Sequence, residues 1–435
     1  MTLVSFPRRL HHLAAADPDR PAVTCGSESI TRAELESAAN RLARDLSGRG
    51  VATGDFVTVA IPNSIDWFVA YAAIWKLGAV PQPVSAKLPA RELAAIVELA
   101  QSRVVLGVAA ELLDHLPPGP QYLPIGYRAD DALDDSPLPD AVSPAWKAPT
   151  SGGSTGRPKL IVSGDPALID DEALPPLLIG RDGCLVMPGP LYHNGPAVWS
   201  CQALLAGSHV VLLPRFDAET TLAMIERHRA DVVYLVPTMM KRISRLPADV
   251  RDRYDLSSLR VVWHLAEPCP VWLKQEWIDW LGPERIFELY AGTEAQAATI
   301  ITGIEWLEHR GSVGRVSSGE VRICDADGNV LPPGEQGEVW LRSVGRDTPT
   351  YHYLGADAKK LDGGWESLGD VGWLDADGYL YLGDRLQDMI LTGGANVYPA
   401  EVEAALLEHP AVHSCVVIGL PDEDRGNIVH AIVQA

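Results

Sequence analysis

The sequence predicts an α/β protein. Helix-covered, mostly parallel sheets come first, then a β-rich subdomain, then a small α+β unit. Three observations carry this. Up to about residue 310, helical patterns alternate with short apolar runs, as parallel sheets wrapped by helices require. From there to 384 the texture changes to short strands and turns. After Asp388 only 47 of the 435 residues remain.

In chain order, residues 32–46 space their apolar positions three and four apart, with Thr31 placed to cap a helix. A β-type run at 56–61 precedes a helix at 64–77, and 104–108 repeats the strand signal. A proline- and aspartate-rich connector covers roughly 116–146. Strands follow at 207–213, 232–237 and 260–266, with a helix at 218–229 and another beginning at Thr238 and Met239. Residues 337–342 read as a strand, and the Asp-Gly of 375–382 as a hairpin. The last stretch reads as a strand or turn, a helix at 399–407 and a strand at 412–419.

The net charge of −21 excludes a general nucleic-acid binder, which needs a basic face for phosphates. It does not exclude a nucleotide, whose site needs only local donors and a metal. No run of 18 apolar residues predicts a membrane span, and the N-terminus lacks the apolar core of a signal peptide. Six scattered cysteines, without metal-type spacing, fit reduced thiols in a cytoplasmic protein.

The stretch Thr150-Ser151-Gly152-Gly153-Ser154-Thr155-Gly156-Arg157-Pro158-Lys159 places three glycines and four small hydroxyl residues in seven positions, then closes on a lysine. Glycines let backbone N–H groups approach an anion, hydroxyls add donors and Lys159 adds charge. Arg-Pro after Gly156 rules out a Walker loop. Four further blocks follow: Pro190-Leu191-Tyr192-His193-Asn194-Gly195, then Glu288-Leu289-Tyr290-Ala291-Gly292-Thr293-Glu294, then Ser367-Leu368-Gly369-Asp370, then Gly383 to Asp388 with Gly393 to Glu403. In this order they resemble the adenylate-forming superfamily of acyl- and aryl-CoA ligases, luciferases and peptide-synthetase adenylation domains. Residues 265–274 are most similar to bacterial fatty-acid and bile-acid-type CoA ligases.

The resemblance implies ATP-dependent activation of a carboxylic acid to an acyl-adenylate, then transfer to CoA, with Mg²⁺. It implies an N-terminal adenylation domain over 1–384 with two helix-covered sheets and the β-rich subdomain at about 310–384, a hinge at 385–388 and a partial C-terminal lid domain at 389–435. By the same likeness Thr150 to Gly156 and Lys159 would grip the β- and γ-phosphates, and His193 would gate the acyl site. Thr293 would bond the α-phosphate, and Glu294 would hold Mg²⁺. Asp370 would hold the ribose hydroxyls, with Arg385 beside it. Tyr290, Ala266, Glu267 and Pro268 would line the adenine, and Gly393 and Gly394 would carry the pantetheine arm of CoA. Residues 236–240 and Trp199 suggest an apolar or aromatic acid. A homodimer is left open.

Three positions depart from the family pattern: Ala291 and Glu267, where smaller residues are usual, and Gln387 at the hinge. Glu267 allows a solvent-facing acid or a partner for a substrate amine. The sequence ends at Ala435, ahead of the family's C-terminal lysine block, so this chain is expected to adenylate slowly. Two alternatives stay open: an adenylate-forming enzyme that loads a carrier protein or activates nitrite for diazotisation, and a non-catalytic nucleotide-binding protein.

Overall fold

The computed structural model describes residues 2–152, 158–173, 177–385, 390–392, 395–397, 399–407, 409, 411–412, 414–422 and 426–434. The chain forms two compact units. The first comprises Met1–Leu235, Arg242–Val262 and Thr348–Asp357; the second comprises Val236–Lys241, Trp263–Asp347 and Ala358–Ala435.

In the first unit, four parallel strands lie in the order Val232–Leu235, Cys184–Met187, His209–Leu212 and Pro21–Cys25, with Glu28–Thr31 antiparallel at the edge. Every residue of the two strands Cys184–Met187 and Val232–Leu235 is buried, so they read as unbroken apolar runs rather than alternating ones. A second, all-parallel sheet has the order Val80–Pro83, Phe56–Val59, Val104–Val108 and Gln121–Pro124. Its last strand corrects the reading of 116–146 as a plain connector. Gln121–Pro124 is only four residues long, too short for a period to show, yet it buries Leu123.

The expected helices form. Arg32–Gly48 begins with a capping box, in which the Thr31 hydroxyl accepts from the Glu34 N–H and the Glu34 carboxylate accepts from the Thr31 N–H. Ile65–Lys76 is buried nearly all round, with Trp67, Phe68, Tyr71 and Trp75 in the interior. Each such aromatic contributes about 1.5–3 kcal/mol by leaving water. Lys76 is buried too, and its ammonium meets Glu36 at 2.7 Å.

The second unit is an antiparallel run: Ile286–Ala291, Ala298–Thr302, Ser312–Ser318, Tyr379–Arg385, Trp365–Leu374, Gly337–Arg342 and Glu320–Cys324. Ala297, Ile323, Val339, Leu341 and Leu380 form a core beneath it. The Asp-Gly signal is a true hairpin turn: Gly378 N–H returns to the Asp375 carbonyl at 3.1 Å, with Gly378 at φ +81°. Antiparallel strands begin at Ile286, ahead of 310. The final residues give a short hairpin of Ile390–Thr392 with Ala395–Val397, the helix Pro399–Leu407 and a hairpin of Ser414–Asp422 with Gly426–Gln434. Hinge residues 386–388 lie outside the described residues. No helix among the described residues is long and apolar enough to cross a membrane.

Candidate functional site

In the first unit, the two flanks of the glycine-rich stretch pair with each other. Thr150–Gly152 pairs antiparallel with Pro158–Ser163, Ser151 opposite Lys159. Tyr351–Leu354 zips onto the other edge of Pro158–Ser163. The Lys159 ammonium lies 4.0 Å from the centre of the Tyr353 ring, a cation–π contact that holds the side chain toward the strand Tyr351–Leu354. Thr150 accepts a hydrogen bond from Gln82 at 2.7 Å. Gln82 is fully buried and in turn accepts from Thr58, which meets Ser102 at 2.7 Å. A buried polar chain therefore fixes the root of the hairpin. Gly153, Ser154, Thr155 and Gly156 lie outside the described residues.

His193 precedes the helix Asn194–Leu205 in extended conformation, its ring 4.3 Å from that of Tyr192. Desolvation by surrounding protein lowers its pKa below the ordinary histidine value. The next residue, Asn194, accepts from the largely buried ammonium of Lys147. Gly195 is needed because a Cβ there would collide with the Tyr234 hydroxyl. Trp199 is core, edge-on to Tyr234 at 5.3 Å.

In the second unit, three sequence blocks come together. The Tyr290 hydroxyl donates to Asp370 Oδ2 at 2.6 Å. Gly292 is hemmed in by Leu368 and by Glu294: a Cβ on it would strike Leu368 and stand 3.0 Å from Glu294 Oε2. Glu294 is only 6% exposed. Thr293 and Glu294 are the middle of a turn closed by Ala295 N–H on the Gly292 carbonyl at 3.1 Å, so they do not start a helix. Asp370 stands in the strand Trp365–Leu374, where the register shifts between Asp370 and Gly372 and Gly369 adopts φ +86°. Such a bulge re-aims a side chain. Arg385 is the backbone partner of Asp370 across the ladder. The side chain of Arg385, and Gly393 and Gly394, lie outside the described residues.

Ala266 has φ +73°, a left-handed conformation that costs a non-glycine residue roughly 1 kcal/mol or more and gathers at functional sites. Glu267, next to it, is committed: its Oε2 accepts from Thr238 N–H at 2.9 Å and from the Thr238 hydroxyl at 2.8 Å. It caps the helix Pro237–Ser244 from a separate segment, where a carboxylate also meets the positive end of the helix dipole. Met240, on that helix, is fully buried. Beneath the Tyr290 strand, Lys274 and Glu288 form a buried ion pair at 2.5 Å, with the buried His264 at 3.8 Å. Burial raises the Glu288 pKa, against the pull of Lys274.

Sequence reasoning missed Gln82, Lys147, Tyr353 and the Lys274–Glu288 pair. Gln82 left a trace, as a lone polar residue in the apolar run Val80–Pro83. The others depend on contacts between distant segments.

Residues 10–346 match the AMP-binding enzyme family, and residues 401–435 match its C-terminal domain family. The chain is 33% identical over 430 residues to the feruloyl-CoA synthase of an Amycolatopsis species, covering 97% of this chain and 86% of that protein. The fold is similar to the o-succinylbenzoate CoA synthetase of Bacillus subtilis in complex with its acyl-adenylate intermediate, with a TM-score of 0.82 at 26% identity, covering 100% of this chain and 89% of that one. It is also similar to an amide bond synthetase from Marinactinospora thermotolerans, with a TM-score of 0.80 at 30% identity, covering 98% of this chain and 88% of that one. The α/β class and the AMP-forming acid–thiol ligase activity read from the motifs are borne out at this level. Its blocks, its strand order and its relatives agree: the chain belongs to the AMP-binding enzyme family.

Proposed function

We propose that this chain joins an apolar or aromatic carboxylic acid to CoA through an acyl-adenylate. The observation that carries the reading is the assembly of Tyr290, Gly292, Glu294, Leu368 and Asp370 in one place, from blocks about 80 residues apart, as the Tyr290–Asp370 bond spans them. In the first step a carboxylate oxygen bonds to the α-phosphorus of ATP and the bond to pyrophosphate breaks. In the second the CoA sulfur bonds to the acyl carbon, AMP leaves, and the thiol proton is lost. Asp370 offers two acceptor oxygens for ribose hydroxyls, with Tyr290 holding one of them in place. Thr293 offers a hydroxyl to the α-phosphate, and Lys159 and the hairpin root at Thr150 and Ser151 serve the outer phosphates.

Glu294 fits Mg²⁺, because a largely buried carboxylate supplies the hard oxygens this ion takes. When bound, the ion offsets phosphate charge. The commitment of Glu267 to Thr238 accounts for this residue without a substrate amine. The acids in the relatives' names, feruloyl and o-succinylbenzoyl, are aromatic, which supports that substrate class.

The test is pyrophosphate release across aromatic and fatty acids, with products resolved with and without CoA. Acyl-CoA formation from an aromatic acid is expected. Amide or carrier-protein products in place of the thioester would move the acceptor elsewhere. No pyrophosphate release with any acid would favour a non-catalytic nucleotide binder.

A further inference from the structure

We propose a second ligand site, in the first unit, for an amphiphilic organic cation: an amine or quaternary ammonium group on an apolar body. The four-stranded parallel sheet places it. The chain passes from Phe56–Val59 to a neighbour on one side, Val80–Pro83, then crosses back to Val104–Val108 on the other side. The winding direction therefore reverses between Phe56–Val59 and Val104–Val108. In open parallel sheets, ligands bind in the crevice outside the C-terminal ends of the strands at such a reversal.

A cavity of about 600 Å³ opens there, within the size range of small-molecule sites. Ile61 follows the first of these strands, Leu106 and Gly107 lie in the C-terminal half of the second, and Pro124 ends the next. Gly107 shapes the opening. It sits at a register shift opposite Gln121–Pro124 with φ +83°, and a Cβ on it would stand 2.7 Å from the Ala60 carbonyl. None of the residues assigned above to nucleotide, acid or CoA lines this cavity.

The walls define the ligand. Ile30, Leu42, Ile61, Ile65, Val69 and Leu106 supply apolar surface. Four acids, Glu28, Glu34, Asp66 and Asp131, face two arginines. Both arginines are matched: Arg41 meets Asp135 at 2.8 Å and Arg128 meets Asp66 at 3.4 Å. Glu28 and Asp131 have no ion-pair partner among the described residues. An apolar wall with surplus negative charge selects a cation with an apolar tail and disfavours an anion.

Calorimetric titration of the full chain with hexyltrimethylammonium tests this, with hexanoate as the anion of equal tail. Saturable one-to-one binding of the cation is expected. Ala38→Trp, which fills the wall, should weaken it by at least about tenfold while pyrophosphate release and thermal midpoint stay at wild-type values. Glu28→Gln with Asp131→Asn, both at exposed positions, should weaken it about fivefold and serves if the tryptophan variant fails to fold. Any hexanoate binding should be unmoved by Ala38→Trp. Absence of cation binding, or cation binding indifferent to these variants, overturns the site. Loss of hexanoate binding in Ala38→Trp overturns the charge class.

Discussion

Gln82 donates its side-chain amide to Thr150 Oγ1 at 2.7 Å, so a fully buried glutamine in one sheet holds the first residue of the strand Thr150–Gly152. Gln82→Leu removes its bonds to Thr58, to Thr150 and to the Pro83 carbonyl, and leaves the buried Thr58 short of one partner. The expected loss is about 1–3 kcal/mol in urea denaturation, with a fall in pyrophosphate release beyond that accounted for by unfolding. A wild-type midpoint together with wild-type turnover would remove Gln82 from this role.

Tyr290→Phe deletes the hydroxyl that orients Asp370 while keeping the ring. The KM for ATP should rise about tenfold, the order of one lost hydrogen bond to a charged group, with the melting temperature near that of wild type. Asp370→Asn should raise it further. An unchanged KM in both variants would place the ribose elsewhere.

Much of this was legible in the sequence. The helix over Arg32–Gly48 announced itself through Thr31 and Glu34, because capping is local chemistry. The parallel strands Val104–Val108 and Val232–Leu235 were legible because burial on both faces leaves unbroken apolar runs, whereas Cys184–Met187, equally buried, was not read. Gln121–Pro124 was not, since four residues among prolines carry no period. Nor could the role of Glu267 be read. Its partner Thr238 lies on another element, and a glutamate capping a helix from a distance has no spacing rule.

That cap gives a further prediction. Glu267→Gln retains a hydrogen-bond acceptor but not its charge, so the helix Pro237–Ser244 should lose about 0.5–1 kcal/mol in chemical denaturation. Activity toward amine-free acids should be unaffected. A selective KM change for amino-bearing acids would instead return Glu267 to the substrate.

The buried pair beneath Tyr290 behaves differently. Lys274→Met leaves the buried Glu288 carboxyl without its partner and should cost about 3–5 kcal/mol. Replacing both, Lys274→Met with Glu288→Leu, should recover most of that loss in the same denaturation assay. A double variant no better than the single one would show that the pair contributes more than its electrostatics.

Acid should weaken the fold through a histidine. Desolvation, then the neighbouring His228 and Arg20, lowers the His209 pKa from 6.5 to about 4. Its folded value lies below the unfolded one, so the unfolded chain takes up the proton first. The contribution of His209 is intact above pH 6.5 and is lost as pH falls toward 4, by about 2–3 kcal/mol. Thermal melts between pH 7.5 and 5 should show the decline, and His209→Asn should make it shallower, the remainder coming from His193, His228 and His264, whose pKa values burial also lowers.

The strand Pro158–Ser163 has one neighbour close by in the chain, Thr150–Gly152, and another, Tyr351–Leu354, made much later. During synthesis the loop emerges long before the segment that clamps its far side. Nascent chains halted ahead of Tyr351 therefore present an unclasped hairpin, with Lys159 lacking the ring it rests on. The three-stranded sheet around Lys159 is thus completed late on the ribosome, after most of the polypeptide has been made.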